Sequence, residues 1–192
     1  EGRIKKLYED FSSRSVAIVA ISPNDAKAVR LDELGYTDLG DSLEDMKLRA
    51  KNEGFKFPYL YDGETQKTSS QFGVIATPHV FIFGQDRRLQ YAGRIDDNEL
   101  EEPKREDARE AREEILAGKQ VSVAQTRVLG CSTKWADKRD SARATLTHWD
   151  QETAELVAVK PDELQQKLTA KSDKYRLVNV WATWCIPCVE EL

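Results

Sequence analysis

The apolar run Leu177-Val178-Asn179-Val180-Trp181 leads straight into Ala182-Thr183-Trp184-Cys185-Ile186-Pro187-Cys188. A β-branched run, an aromatic turn and a C-x-x-C pair read as a strand, a tight turn and the first turn of a helix. That order restricts the chain to folds in which a buried strand delivers two cysteines to a helix N-terminus. The front of the chain has the opposite character. Ile4, Leu7, Tyr8 and Phe11 recur at i, i+3, i+4 and i+7, the stripe of an amphipathic helix, and the strand-like run 15–21 follows it directly. The chain is therefore expected to carry its first strand last.

The spacing of the two cysteines has a physical logic. A helix N-terminus presents unpaired N–H groups and the positive end of its dipole to the first sulfur. This favours the thiolate, the reactive form, below its ordinary pKa near 8.5. Cys185 is the expected nucleophile toward a disulfide, and Cys188, one turn on, the expected resolving thiol. Pro187 removes a backbone donor and stiffens the turn. The alternatives are half a zinc knuckle or two inert core cysteines. The chain has 3 Cys and 2 His, with one C-x-x-C and no H-x₃₋₅-H, so no metal is expected.

Composition bounds the rest. A chain of 192 residues holds one or two domains, and a mean hydropathy of −0.63 is that of an ordinary water-exposed protein. No apolar run approaches the roughly 18 residues that span a bilayer. A net charge of −5 and a pI near 5.3 leave no basic stripe for nucleic acid. No cofactor is expected.

Along the chain, Ser42 with Asp45 forms a capping pair for a helix stopped by Gly54. Residues 57–61 read as a short strand, 64–72 as a helix ending at Gly73, and 79–83 with 88–93 as a β-hairpin. A helix is expected over 104–117 and another over 162–170 with Pro161 in its first turn. Between them 126–131 reads as extended and 134–145 as linker or helix. The charged run 99–114 reads as a solvated helix face.

Placing the end of the chain before its beginning gives strand, Trp184-Cys185-Ile186-Pro187-Cys188, a long helix, and the strand 16–21. That order resembles the opening of a thioredoxin-like thiol–disulfide oxidoreductase of the TlpA/ResA kind, for residues 155–192. Phe57-Pro58-Tyr59-Leu60-Tyr61-Asp62, Thr77-Pro78, Gly93-Arg94-Ile95-Asp96-Asp97 and Gly130-Cys131-Ser132-Thr133-Lys134-Trp135 resemble the peroxiredoxin-like thioredoxin group of the alkyl hydroperoxide reductase/thiol-specific antioxidant superfamily, over about residues 1–135. The strand and cysteine-bearing turn with which that group opens have no counterpart before Glu1.

The resemblance implies an α/β thioredoxin-like sandwich with a mixed sheet. It implies a thioredoxin-like unit at 1–137 without its first strand, a linker at 138–160, and at 161–192 the helix, strand and C-x-x-C that start a second unit. The run 176–181 is the expected central strand, folded back as in a circular permutant or exchanged in a domain-swapped homodimer, because two open strand edges otherwise leave buried N–H and C=O groups unpaired. A fragment of a tandem redox protein is the alternative.

The resemblance also implies a cis Pro78 opposite the C-x-x-C, with Thr77, Pro78, Trp184 and Pro187 lining the substrate site. Glu191 is a candidate proton relay to Cys188, against the plainer reading of a solvated helix residue. Cys131 is either a third redox thiol or a small buried hydrophobe. His79 is expected to be structural. The implied partners are protein thiols and disulfides and an upstream reductant, and the implied location is extracytoplasmic or periplasmic. A peroxide reductase would need a P-x-x-x-T-x-x-C segment, which the chain does not contain. A redox-inactive thioredoxin-like interaction module remains the non-enzymatic alternative.

Overall fold

The computed structural model describes residues 2–30, 33, 39–98, 101–151, 153, 157–176 and 178–182. Helix α1 (Gly2–Phe11) buries Phe11. The Arg14 and Arg109 guanidinium groups lie over that ring, 5.2 and 5.4 Å from its centroid. The same helix and the turn after it are tied to residues far ahead of them: Asp10 accepts from Arg109 at 2.6 Å, Arg14 grips the Glu113 carboxylate at 2.6 and 2.8 Å, and Arg3 pairs with Asp96.

Strand β1 (Ala20–Ser22) pairs in parallel with β2 (Tyr59–Tyr61), in the register Ala20 to Tyr59 and Ser22 to Tyr61. Between them α2 (Leu43–Glu53) starts where the Ser42 hydroxyl accepts from Asp45 N at 3.1 Å, and stops at Gly54 in the left-handed region. Met46 is the residue of α2 that reaches the interior. Helix α3 (Lys67–Phe72) follows β2. It begins three residues later than the sequence pattern suggests, because Asp62 binds Ser69 N and Oγ, both at 2.7 Å, and so turns 62–66 into a separate loop.

Strand β3 (Ala76–Thr77) leads through Pro78 into β4 (Val80–Phe83), which forms an antiparallel hairpin with β5 (Leu89–Gly93), broken by a bulge at Ile82/Phe83. Helix α4 (Asp107–Leu116) covers that hairpin. The core lies between them: Tyr91, Ala108, Ala111 and Val121 are buried, with Val80, Ile82 and Ile115 against them. The other face of β4 carries His79, Phe81 and Phe83, and Phe72 of α3 meets Phe81 and Phe83 edge-on at 5.1 and 5.9 Å.

Strand β6 (Cys131–Ser132) pairs with β3, and α5 (Arg139–Gln151) and α6 (Pro161–Thr169) complete the described elements. Within the expected linker 138–160, α5 buries Ala142, and Arg139 pairs with Asp25.

Among the described residues the strands form three two-stranded ladders, β1–β2, β3–β6 and β4–β5. The run 15–21 was expected to be a strand buried on both faces. Its ladder covers only Ala20–Ser22, and Val19 and Ile21 are 49% and 38% exposed. Strand β1 has β2 on one edge and, among the described residues, no strand on the other. The run 176–181 enters no ladder among its described residues, and Val180 is 84% exposed.

Candidate functional site around Thr77 and Pro78

The Thr77–Pro78 peptide bond is cis. Strand β3 ends at this bond, and β6 lies antiparallel beside it with Thr77 opposite Cys131 and Ala76 opposite Ser132. The Thr77 hydroxyl donates to the Cys131 carbonyl at 3.4 Å. The approach is close enough to exclude a side chain at Gly130. That residue has φ +142, and a Cβ there would lie 2.2 Å from the Thr77 carbonyl oxygen and 3.0 Å from Pro78 Cδ. Cys131 itself is exposed, in no disulfide, so the reading of a buried hydrophobe does not hold.

His79 follows directly. Its ring lies 4.2 Å from that of Phe81, centroid to centroid, and its Nδ1 is buried without a hydrogen-bond partner. Burial pushes the imidazole below its ordinary pKa, so it stays neutral near pH 7. A neutral ring in a mostly apolar setting is a packing residue.

Beyond β6 the chain is stapled down as a strap by a buried polar network. Gln66, itself left-handed at φ 52, donates from Nε2 to the Pro23 and Lys134 carbonyls at 2.7 and 2.9 Å, and its Oε1 accepts from Ala136 N at 2.9 Å. Lys134 N donates to Asn24 Oδ1 at 3.0 Å, Asp25 N donates to the Lys134 carbonyl at 2.9 Å, and the Lys134 ammonium pairs with Glu33. These contacts join the exit of β1, the loop before α3 and the strap 130–139. No local pattern marks Gln66 for this role, since its partners lie 43 to 70 positions away.

The Gly93–Asp97 motif resolves into structural work. Arg94 Nε donates to the buried Asp107 carboxylate at 2.7 Å, and Arg94 N donates to Thr126 Oγ1 at 3.0 Å. Asp97 accepts from Arg105 N and Lys104 N at 3.1 and 2.9 Å, and those backbone donors, Arg105 first, hold its carboxyl below the usual carboxylate range. The motif therefore fixes the entry to α4. A cavity of about 430 Å³, lined by Arg3, Asp96, Lys104 and Glu106 among others, opens beside it and involves neither Pro78 nor Cys131.

Trp184, Cys185, Pro187, Cys188 and Glu191 lie outside the described residues. Of the expected site residues, the structure thus brings together Thr77, Pro78 and Cys131, the last on a strand that pairs with the first. Among the described residues no group of three or more His, Cys, Asp or Glu side chains is placed to hold a metal, and no helix is long and apolar enough to cross a membrane.

The model of the AhpC/TSA family matches residues 2–92. A hypothetical protein from Sinorhizobium meliloti 1021, known as a crystal structure, is 32% identical over 69% of this chain and 69% of its own, with a TM-score of 0.59. An uncharacterized conserved protein from Geobacillus kaustophilus is 34% identical over 68% of this chain and 66% of its own, with a TM-score of 0.58. No protein of curated function matches.

Proposed function

Because this chain belongs to the AhpC/TSA family, whose thioredoxin-like fold serves thiol-dependent redox chemistry, we infer that it is a thiol–disulfide oxidoreductase acting on protein disulfides through Cys185 and Cys188. The observation that carries this reading is the pair itself, Trp184-Cys185-Ile186-Pro187-Cys188 behind an apolar run, in a chain of that family.

The Cys185 thiolate attacks one sulfur of a substrate disulfide. A Cys185–substrate disulfide forms and the second substrate sulfur leaves as thiolate. Cys188 gives up its proton, for which Glu191 is the candidate acceptor, and attacks the Cys185 sulfur. The Cys185–Cys188 disulfide forms, the substrate's other thiolate leaves, and an upstream dithiol reductant restores the pair. Thr77 and Pro78 supply a strand edge beside which a substrate peptide can lie, with Trp184 and Pro187 beside the reacting sulfur.

The chain is best divided as a unit at 1–137, a connection at 138–160 whose helix α5 packs onto that unit through Ala142 and Arg139, and the start of a second unit at 161–192. Support for this division comes from the exposure of Val178, Val180 and Trp181 and from the absence of any ladder between the described part of 176–181 and β1 or β4. An extracytoplasmic location suits a protein-disulfide substrate.

The test is reduction of a protein disulfide such as that of insulin, with dithiothreitol as electron donor. The chain should accelerate it, Cys185→Ser should return the rate to that of dithiothreitol alone, and Cys188→Ser should accumulate a mixed disulfide with the substrate. A chain that gives no acceleration over dithiothreitol alone would overturn the reading in favour of a redox-inactive interaction module, and a Cys185→Ser variant as fast as the parent would overturn it by moving the activity to another thiol. Light scattering adds the assembly: a dimer would assign 176–181 to a neighbouring copy's sheet.

A further inference from the structure

We propose that Gly130-Cys131-Ser132 is an internal pseudosubstrate: a cysteine-bearing strand of the chain itself, lying on the strand edge where an extended peptide would pair, so that a peptide reaches Thr77 only when the strap 130–139 lifts. The proposal rests on the peptide-binding role given to that edge above.

The geometry carries it. A strand edge accepts one antiparallel partner at a time, and for Ala76–Thr77 that partner is Cys131–Ser132. The contact is made to measure, since Gly130 packs its bare Cα against the Thr77 carbonyl and Pro78 where any side chain would collide. The register sets a cysteine opposite Thr77, and a cysteine is the residue that a disulfide substrate would present there.

The contact is also poised to open. The ladder is only two residue pairs long, and backbone hydrogen bonds exchanged for bonds to water contribute little net stability each, so the ladder alone would open readily. What holds it shut is the staple behind it, above all the three hydrogen bonds of Gln66 to Pro23, Lys134 and Ala136. A tethered strand competes with free peptide at an effective concentration on the order of millimolar. A peptide of micromolar intrinsic affinity is therefore shut out until the staple loosens.

The experiment uses the full chain with Cys185→Ser and Cys188→Ser, so that no disulfide exchange contributes. The probe is a fluorescein-labelled peptide, Val-Leu-Gly-Ser-Ser-Thr-Lys, which copies 128–134 with serine for the cysteine. Its affinity is read by anisotropy in this background, with Gly130→Val added, and with Gln66→Ala added. The first addition ejects the strap by collision and the second loosens its staple, and circular dichroism checks that each variant is folded. Both additions should tighten binding by about ten-fold or more, with faster amide exchange at Thr77 and Cys131. Equal affinity in all three proteins would overturn the proposal. So would an absence of binding in variants whose exchange shows the strap released. The oxidoreductase reading fails or survives separately, on insulin reduction by the chain with both cysteines intact.

Discussion

Arg94 and Asp107 form an ion pair with a 2.7 Å hydrogen bond, in which the carboxylate side chain is 1% exposed and the guanidinium 22%. Asp107 also opens α4, so the pair fastens the end of the β4–β5 hairpin to the helix that covers it. Arg94→Ala leaves that carboxylate buried with only Arg105 nearby, at 3.4 Å. Breaking such a pair from one side should destabilise the fold by about 2–3 kcal/mol after allowing for the partial exposure of Arg94. Urea denaturation measures it, and a loss under 0.5 kcal/mol would show that Arg105 replaces Arg94 fully.

The Ser42 cap offers a cleaner local test. Its hydroxyl accepts from Asp45 N and donates to Asp45 Oδ2, satisfying one orphan donor at the start of α2. Ser42→Ala should cost about 1 kcal/mol in urea denaturation, and Ser42→Asp should recover most of it. Equal losses in both variants would mean that the hydroxyl's bond to the Asp45 carboxylate, and not the cap, is what matters.

Asp62 gives the protein an acid limit. Desolvation pushes its carboxyl up, but the hydrogen bonds from Ser69 N, Ser69 Oγ, Thr68 and Thr65 outweigh it, and the folded pKa is depressed. A depressed carboxyl contributes stability above its unfolded pKa, near 3.9, and that contribution is lost as pH falls through the lower folded value. Chemical denaturation between pH 5 and 2.5 should show a falling limb that Asp62→Asn flattens. An unchanged limb would move the acid sensitivity to other carboxylates.

His79 acts at milder pH. Its folded pKa lies below the ordinary value because burial penalises the imidazolium. The unfolded state therefore takes up a proton first. Stability is full above the unfolded pKa, near 6.5, and declines as pH falls from there toward the folded value. His79→Phe keeps a ring for Phe81 and should remove the slope of stability between pH 7 and 5. A slope that persists unchanged would assign it to another group.

Much of this was legible in the sequence wherever the signal is local. Ser42 and Gly54 bound α2 because a cap and a left-handed stop are properties of adjacent residues. The hairpin β4–β5 follows from alternation around the Gly84-Gln85-Asp86 turn. The run 15–21 misled because its composition reports burial on both faces, whereas burial needs covering neighbours that composition does not supply: Val19 and Ile21 remain partly exposed. Thr77-Pro78 and Cys131 each stand out in the sequence as short motifs. Their pairing does not, because 54 residues separate Thr77 from Cys131. Gln66 was invisible for the same reason, its value lying in three backbone partners from two distant segments.

The bonds from Arg3, Asp10 and Arg14 to residues 96, 109 and 113 have a consequence for how the molecule is made. A helix of 10 residues is too short to persist by itself in water, and the charges that hold this one, together with the Arg109 guanidinium over Phe11, emerge from the ribosome some 99 positions later. At about 5–20 residues per second, Asp10 and Phe11 wait about 5–20 s for the Arg109 that holds them. Residues 3, 10 and 14 are thus held by charges that the chain supplies only after both strands of the β4–β5 hairpin have been synthesised.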